Sequence, residues 1–322
     1  MATYKGISGF NIKSLSSDPS NLVEGEIWYN STSGTLKVAP LVESWASGGA
    51  MTTARTGLAS AGTQNANVFM GGQLSNSPFA GTGATELYDG STWTTNPNAN
   101  PFTGGNNSGT GTQTAALSFG GYPNIQTTVE FDGSSYAAGG GLSTGRETIS
   151  NNIGTQTAAV AAGGYVRSPD TYPTATEEYN GTGWSAGNTI NTPGYGRAGS
   201  GILTAALLSG GIEPGQLSNA EEYDGSSWST VTSRPYAAGN SGTSGTQTAS
   251  LAYGGDPSSA LTTTVGYDGT TWSTRSAMTT GRAMMGSSSG GTSSSALASS
   301  GISSTATEEF TGEVTAQTVT TS

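Results

Sequence analysis

The 322-residue sequence contains no cysteine and no histidine. The first absence removes disulfides, thiolate nucleophiles, zinc knuckles and iron–sulfur ligands; the second removes the imidazole base, the proton shuttle and the usual transition-metal ligand. Redox and most metal chemistry are excluded, and neither a cofactor nor a metal is expected. Charge is scarce as well: 10 Lys+Arg stand against 21 Asp+Glu, a net charge of −11. A chain so acidic, with no local run of Lys or Arg, is unsuited to nucleic-acid backbones or anionic membranes. There is no apolar stretch long enough to span a bilayer, and the start, MATYKGISGF, lacks the apolar core of a secretory signal. A soluble protein with no membrane insertion is expected. All three lysines, Lys5, Lys13 and Lys37, fall in the first 40 residues beside Asp18, Glu24 and Glu26, so a nearly neutral head precedes an acidic body.

Glycine is abundant, at 51 residues, while hydrophobic residues reach only 33%. That composition alone would suggest disorder, because Gly and Ser bury too little apolar surface to offset chain entropy. Periodicity reverses the reading. An aromatic-acid-Gly-x-x-aromatic cassette recurs as Tyr88-Asp89-Gly90-Ser91-Thr92-Trp93, Phe131-Asp132-Gly133-Ser134-Ser135-Tyr136, Tyr223-Asp224-Gly225-Ser226-Ser227-Trp228 and Tyr267-Asp268-Gly269-Thr270-Thr271-Trp272. The third copy in chain order, Tyr179-Asn180-Gly181-Thr182-Gly183-Trp184, substitutes Asn for the acid, and a degenerate sixth runs Glu308-Glu309-Phe310-Thr311-Gly312. Each copy follows an apolar run ending in a Gly pair, Gly71-Gly72, Gly120-Gly121, Gly163-Gly164, Gly210-Gly211 and Gly254-Gly255, with Ser300-Gly301 in the last. The short alternating runs between turn residues read as four strands per repeat, and the Asp-Gly and Asn-Gly pairs read as tight hairpin turns needing positive φ. Six such repeats make an all-β, six-bladed β-propeller, an architecture that leaves few exposed strand edges.

The order Met51-Thr52-Thr53-Ala54-Arg55-Thr56-Gly57, Val68-Phe69-Met70-Gly71-Gly72 and Glu86-Leu87-Tyr88-Asp89-Gly90-Ser91-Thr92-Trp93 resembles a Kelch repeat, and the resemblance covers residues 45–312. Arg146, Arg197 and Arg282 fall near the Arg position; the second repeat has none. Kelch propellers serve many unrelated functions, so the resemblance implies fold rather than activity. The segment from Glu24 to Val38, with Ile27-Trp28-Tyr29-Asn30 before a polar turn and Leu36 and Val38 after it, reads as a hairpin. It is similar to a segment near the start of many bacteriophage fibre and virion structural proteins. Joined to the Gly-Thr-Gln-Thr-rich repeats, the chain resembles Kelch-like structural proteins of marine, cyanophage-type tailed phages. The division expected is an N-terminal attachment module over 1–40 and the propeller over 41–322.

That resemblance implies a non-enzymatic virion protein, a tail fibre or surface protein assembled in the host cytoplasm and extracellular in the mature particle. Its expected partners are other virion proteins through the N-terminal module and a host-surface glycan or receptor through the propeller, and a homo-oligomer is compatible with it. No catalytic residue is assigned. Asp89, Asp132, Asp224 and Asp268 are read as turn formers. The pairs Glu177-Glu178, Glu221-Glu222 and Glu308-Glu309 recur at one place in the repeat, which points to a scaffold role; paired carboxylates also keep open a glycosidase or depolymerase. A purely structural decoration protein is the third reading. Candidate ligand-binding residues lie in the connections after the Gly pairs, which vary in length and chemistry on a rigid scaffold. They are Tyr122, Tyr165, Arg167, Asp170 and Tyr172, chosen because aromatic faces can stack on sugar rings while Arg and Asp orient polar groups. Two segments compete to complete the last blade, the one around Trp45 and the C-terminal Glu313 to Thr320; Trp45 matches the repeat better and is expected to close it.

Overall fold

A computed structural model describes residues 12–76, 79–147, 152–256, 259–301 and 304–320. The opening MATYKGISGF with Lys5, and positions 77–78 and 257–258 within two of the variable connections, lie outside the described residues. Among those described, the regular structure is all β, with no helix long and apolar enough to cross a membrane. Contacts divide the chain into two compact units, 1–43 with 312–322, and 44–311.

In the first unit a four-stranded sheet is ordered Lys13–Leu15, Ile27–Asn30, Thr35–Val38, Gln317–Thr318. The expected hairpin is present, with Ile27 opposite Val38 and Tyr29 opposite Leu36. It gains a parallel strand on one edge and the C-terminal strand on the other, where Lys37 pairs with Thr318. Residues 312–322 therefore belong with the N-terminal module, whereas sequence reading put everything after 40 with the repeats. The reason is that the third strand of the last repeat runs on to Val314 and delivers the terminus to the free edge of the hairpin.

The second unit carries the repeats, each a four-stranded antiparallel sheet. In the second repeat the strands are Ser108–Thr112, Ala115–Phe119, Thr128–Phe131 and Tyr136–Gly139. The same order holds in the first (Ala59–Gly62, Asn67–Met70, Thr85–Tyr88, Trp93–Asn96) and third (Gly154–Thr155, Ala158–Ala162, Thr176–Tyr179, Trp184–Gly187). It continues in the fourth (Ala198–Ile202, Ala205–Ser209, Ala220–Tyr223, Trp228–Val231) and fifth (Gly242–Thr246, Ala249–Tyr253, Thr264–Tyr267, Trp272–Arg275). In the sixth, Gly286–Ser287, Ser295–Ser299 and Thr307–Val314 are completed by Leu41–Gly48, so the Trp45 segment supplies the fourth strand. Trp45 is buried there, donating Nε1–H to Thr264 Oγ1 at 3.1 Å, as Trp228 does to Thr176 at 3.0 Å and Trp93 to Thr307 at 3.0 Å.

First strands of successive repeats are neighbours in order, and Gly286–Ser287 of the sixth lies against Ala59–Gly62 of the first. Backbone bonds follow the same cycle: Gly57 N–H donates to Met284 O, Met284 to Asn240 O, and Asn240 to Gly196 O. Apolar clusters lie between adjacent sheets, as where Phe69 and Trp93 of the first repeat meet Leu297 of the sixth. Two unforeseen hairpins rise from the variable connections, Gln73–Asn76 with Phe79–Gly81, and Val166–Arg167 with Asp170–Thr171.

Candidate functional site

The carboxylates that could have served catalysis have structural partners. In each Glu-Glu pair, alternation along the strand sends the two side chains to opposite faces. The first is buried and meets the arginine of its own repeat: Arg146–Glu177 at 2.7 Å, Arg197–Glu221 at 2.9 Å and Arg282–Glu308 at 3.2 Å, with Arg55–Glu86 at 2.9 Å completing the set. The same arginines donate to the carbonyls of the Gly-pair segment, Arg55 to Gly71 O and Arg146 to Gly163 O. The second glutamate accepts from the tyrosine of the next repeat: Tyr179 to Glu130 at 2.7 Å, Tyr267 to Glu222 at 2.9 Å, Tyr223 to Glu178, and Tyr88 to Glu309 across the junction of first and sixth repeats. Burial, with the neighbouring glutamate, holds these tyrosine hydroxyls well above their ordinary pKa. Where the second glutamate is missing, at Leu87 and Gly266, the next repeat carries Phe131 and Phe310. The aspartates of the Asp-Gly turns are exposed and accept two backbone N–H groups each, Asp224 from Ser226 at 2.8 Å and Ser227 at 2.7 Å, which lowers its pKa to about 2.

Side chains of the inner strands meet across their centre. Asn152 of the third repeat donates to Ser287 of the sixth at 2.7 Å and to Thr243 of the fifth at 3.2 Å. Beside the positive-φ residues Gly57, Asn106, Gly196, Asn240 and Met284 there is a cavity of about 40 Å³. At ~10–15 Å³ per water, it has room for a few solvent molecules. Among the described residues no group of three or more acidic side chains is placed to hold a metal ion.

The connections after the Gly pairs gather into one surface. Phe79 lies 4.3 Å from Tyr122, centroid to centroid; the Arg167 guanidinium sits 4.8 Å from the Tyr122 ring and 5.3 Å from that of Tyr165. Tyr165 stacks on Tyr172 at 5.2 Å, and Tyr172 on Tyr195 at 5.6 Å. All five sequence-predicted residues thus fall in one continuous run: Tyr122 precedes the hairpin, Arg167 and Asp170 form its backbone pair, and Tyr165 and Tyr172 flank it. Arg167 is anchored by buried Glu147 at 2.8 Å, whose second oxygen accepts from Asn106 at 2.9 Å. Hydrogen bonding to Glu147 keeps Arg167 firmly protonated, and its side chain remains 47% exposed. Many ring faces are engaged with one another rather than open, so the loops brace each other while Phe79, Arg167 and Asp170 stay exposed. Phe79, Glu147 and Tyr195 escaped sequence reading. Phe79 and Tyr195 sit in connections of other repeats, while Glu147 follows Arg146 and could have been noticed as an acid beside a repeat arginine.

At the opposite end, one turn device recurs in several repeats. Gln113 Nε2 bridges Asn67 O and Tyr88 O of the preceding repeat, Gln156 bridges Ala116 O and Phe131 O, and Gln247 bridges Ala206 O and Tyr223 O. The N-terminal sheet offers a second surface. Trp28 and Asn30 are buried on one face, both donating to Asp18. By alternation the other face carries Ile27, Tyr29, Leu36, Val38 and Val319, an uncharged set with Ile27 42%, Tyr29 41% and Val319 37% exposed.

Fold and site together define an all-β protein of repeated four-stranded antiparallel sheets with a variable-loop surface. No protein-family model matches the chain, and no curated protein is similar to it.

Proposed function

We propose that the protein is a non-enzymatic virion protein of a tailed bacteriophage, a tail fibre or surface protein whose repeats form a closed six-bladed Kelch-like propeller. Cyclic neighbouring of the first strands, and the Trp45 strand in the sixth sheet, support the closed ring. In this reading the N-terminal module docks to the particle through its uncharged apolar face, since apolar patches of this kind on soluble proteins mark interaction sites. The variable-loop face binds a host-surface glycan or receptor.

The observation that carries the proposal is the unequal use of the two ends of the sheets. One end reuses the same Gln device in four of the six repeats and the same Asp-Gly device in four; the other draws different aromatic and charged residues from successive repeats into one surface around Arg167. Rigid scaffolds with variable loops are built for recognition. The engaged glutamate pairs support a binding protein over a carboxylate-dependent depolymerase. Immunogold labelling of assembled particles should place the protein on the virion surface, and a swap of residues 165–175 should abolish binding to host cells or a glycan array. Finding the protein only in uninfected bacterial envelopes rejects the virion assignment. Release of reducing ends from host polysaccharide would make it an enzyme.

A further inference from the structure

The loop face has a definite electrostatic character. Its cation, Arg167, is already ion-paired to Glu147. Beyond it lies a trio of half-buried rings, Tyr165, Tyr172 and Tyr195, with centroid separations of 5.2, 5.6 and 5.6 Å. Carboxylates from three successive repeats lie close enough to act electrostatically on one or more of these rings. Asp170 lies on the hairpin, paired with Arg167, and its carboxylate is the leading influence that raises the Tyr165 phenol. Glu213 directly follows Ile212, which pairs with Tyr195 through backbone bonds of 3.2 and 2.9 Å. Asp256 is held by Asn240 at 3.1 Å. Burial first, then the charges of Asp170 and Glu213, pushes the Tyr172 phenol up to about 12; burial with Glu213, Asp256 and Asp170 raises Tyr195, and Asp170 raises Tyr165 against an opposing pull from Arg167. The π faces of tyrosine attract cations, and surrounding carboxylates add to that attraction while repelling an anion.

We propose that the Tyr165–Tyr172–Tyr195 trio, flanked by Asp170, Glu213 and Asp256, receives an ammonium group of a saccharide, so that the ligand is an amino sugar rather than an acidic one. This rests on the glycan-binding reading above and narrows it to a chemical class. The trio is too closely packed to admit the ammonium between its rings; the contact is made on the outer surface of the stack, with the carboxylates as hydrogen-bond acceptors.

The test is calorimetric titration of the full chain at low salt with three probes: a glucosamine tetrasaccharide, its fully N-acetylated counterpart and a galacturonic acid tetrasaccharide. The glucosamine oligomer should bind at least about tenfold more tightly than the N-acetylated one, the scale of one or two unit charges at short range near a surface. Raising ionic strength from about 0.05 to about 0.5 M should weaken it, because the screening length falls from roughly 14 Å to about 4 Å. The pair Asp170→Asn and Glu213→Gln, which keeps side-chain volume, should cost about tenfold with an unchanged melting temperature, and Tyr172→Ala should lower affinity independently. Equal binding of the N-acetylated oligomer, or preference for the galacturonate, overturns the ammonium inference while leaving glycan recognition standing. No binding to any of the three, alongside hits elsewhere on a glycan array, also overturns it alone; an array with no hits removes both.

Discussion

Arg234 is the buried cation that breaks the pattern of the repeats. Six residues beyond four of the six outer aromatics there is a plug between sheets: Met51 after Trp45, Leu142 after Tyr136, Ile190 after Trp184 and Met278 after Trp272, each no more than 4% exposed, while Trp93 is followed by exposed Ala99. After Trp228 the residue is Arg234, 3% exposed. Its guanidinium bonds to Ala238 O and, at 3.3 Å, to Ser241 Oγ, lies 4.9 Å from the Tyr236 ring, and leaves Nε without a partner. Burial and the nearby Arg197 both depress its pKa, yet a guanidinium stays charged in proteins. Arg234→Met restores the apolar plug. The cation–π contact is worth up to ~2 kcal/mol and the charged hydrogen bonds ~1.5–3 kcal/mol, against a guanidinium burial cost of several kcal/mol with no counter-ion among the described residues. Ala238 O keeps a bond from Gly211 N, and Ser241 Oγ keeps one to Gly254 O, so the substitution orphans neither. Replacing buried charge by a well-packed apolar side chain gains about 1–4 kcal/mol, and a gain of about 2 kcal/mol raises the Tm of a unit of this size by roughly 4–8 °C. Scanning calorimetry of both proteins measures it, with Arg197→Met as the opposite control: stranding buried Glu221 should cost about 3–5 kcal/mol. A fall in Tm for Arg234→Met would refute the reasoning and show that the local hydrogen bonds outweigh burial of the charge.

The cross-repeat latch can be dissected through Tyr223 and Glu178. Tyr223→Phe alone should cost about 1 kcal/mol, and adding Glu178→Leu, which copies the natural Leu87 and Phe131 combination, should recover it in a double-mutant cycle measured by urea unfolding. Trp45→Ala should lower stability by about 3–5 kcal/mol, because Trp45 packs 5.1 Å from Tyr253 and 5.4 Å from Phe310; deleting residues 41–48 should be worse, and an unchanged Tm would reject closure by this strand. The turn aspartates have lowered folded pKa values, so their contribution is present above the unfolded value near 3.9 and lost as pH falls toward about 2. The latch tyrosines are raised, so theirs is present below the unfolded value near 10 and lost above it. Tm against pH should therefore show a plateau bounded by both losses, and a Tm still rising below pH 3 would contradict it.

What could be read in advance was what local chemistry specifies. Asp-Gly and Asn-Gly announce hairpins whatever surrounds them, and Trp45 was recognisable because it repeats a side chain that must donate to a threonine of the preceding sheet. The alternation of Glu221 and Glu222 was legible too, but not their partners, since Arg197 and Tyr267 are brought to them by folding. The substitutions Leu87 with Phe131, and Gly266 with Phe310, carried that information in the sequence and become visible only when repeats are compared in register. The loop face was half legible. Tyr165, Arg167, Asp170 and Tyr172 share one connection, but Phe79 and Tyr195 arrive from others that share no pattern, because nothing in the scaffold constrains them. The C-terminal strand was assigned to the wrong unit because Gln317 and Thr318 have no apolar signature; a free hairpin edge, rather than sequence, recruits them.

The low hydrophobic content is a consequence of geometry, and glycine substitutions can show it. The inner strands read ASAG, SGTGT, AGSGI and GTSGT, and neighbours approach closely: a Cβ on Gly109 would fall 2.8 Å from Ala59 Cβ. A Cβ on Gly286 would fall 2.1 Å from the ring of Phe69, which is itself wholly buried and cannot retreat. Gly286→Ala should therefore cost about 3 kcal/mol or more, at the upper end of overpacking. Gly183, in an outer turn, has nothing within 4 Å of the same position and no positive φ, so Gly183→Ala should change stability by less than ~0.5 kcal/mol. If both substitutions were equally neutral in urea unfolding, close approach of the inner strands would not be the reason for the glycines. The composition would then have to be explained by something other than packing.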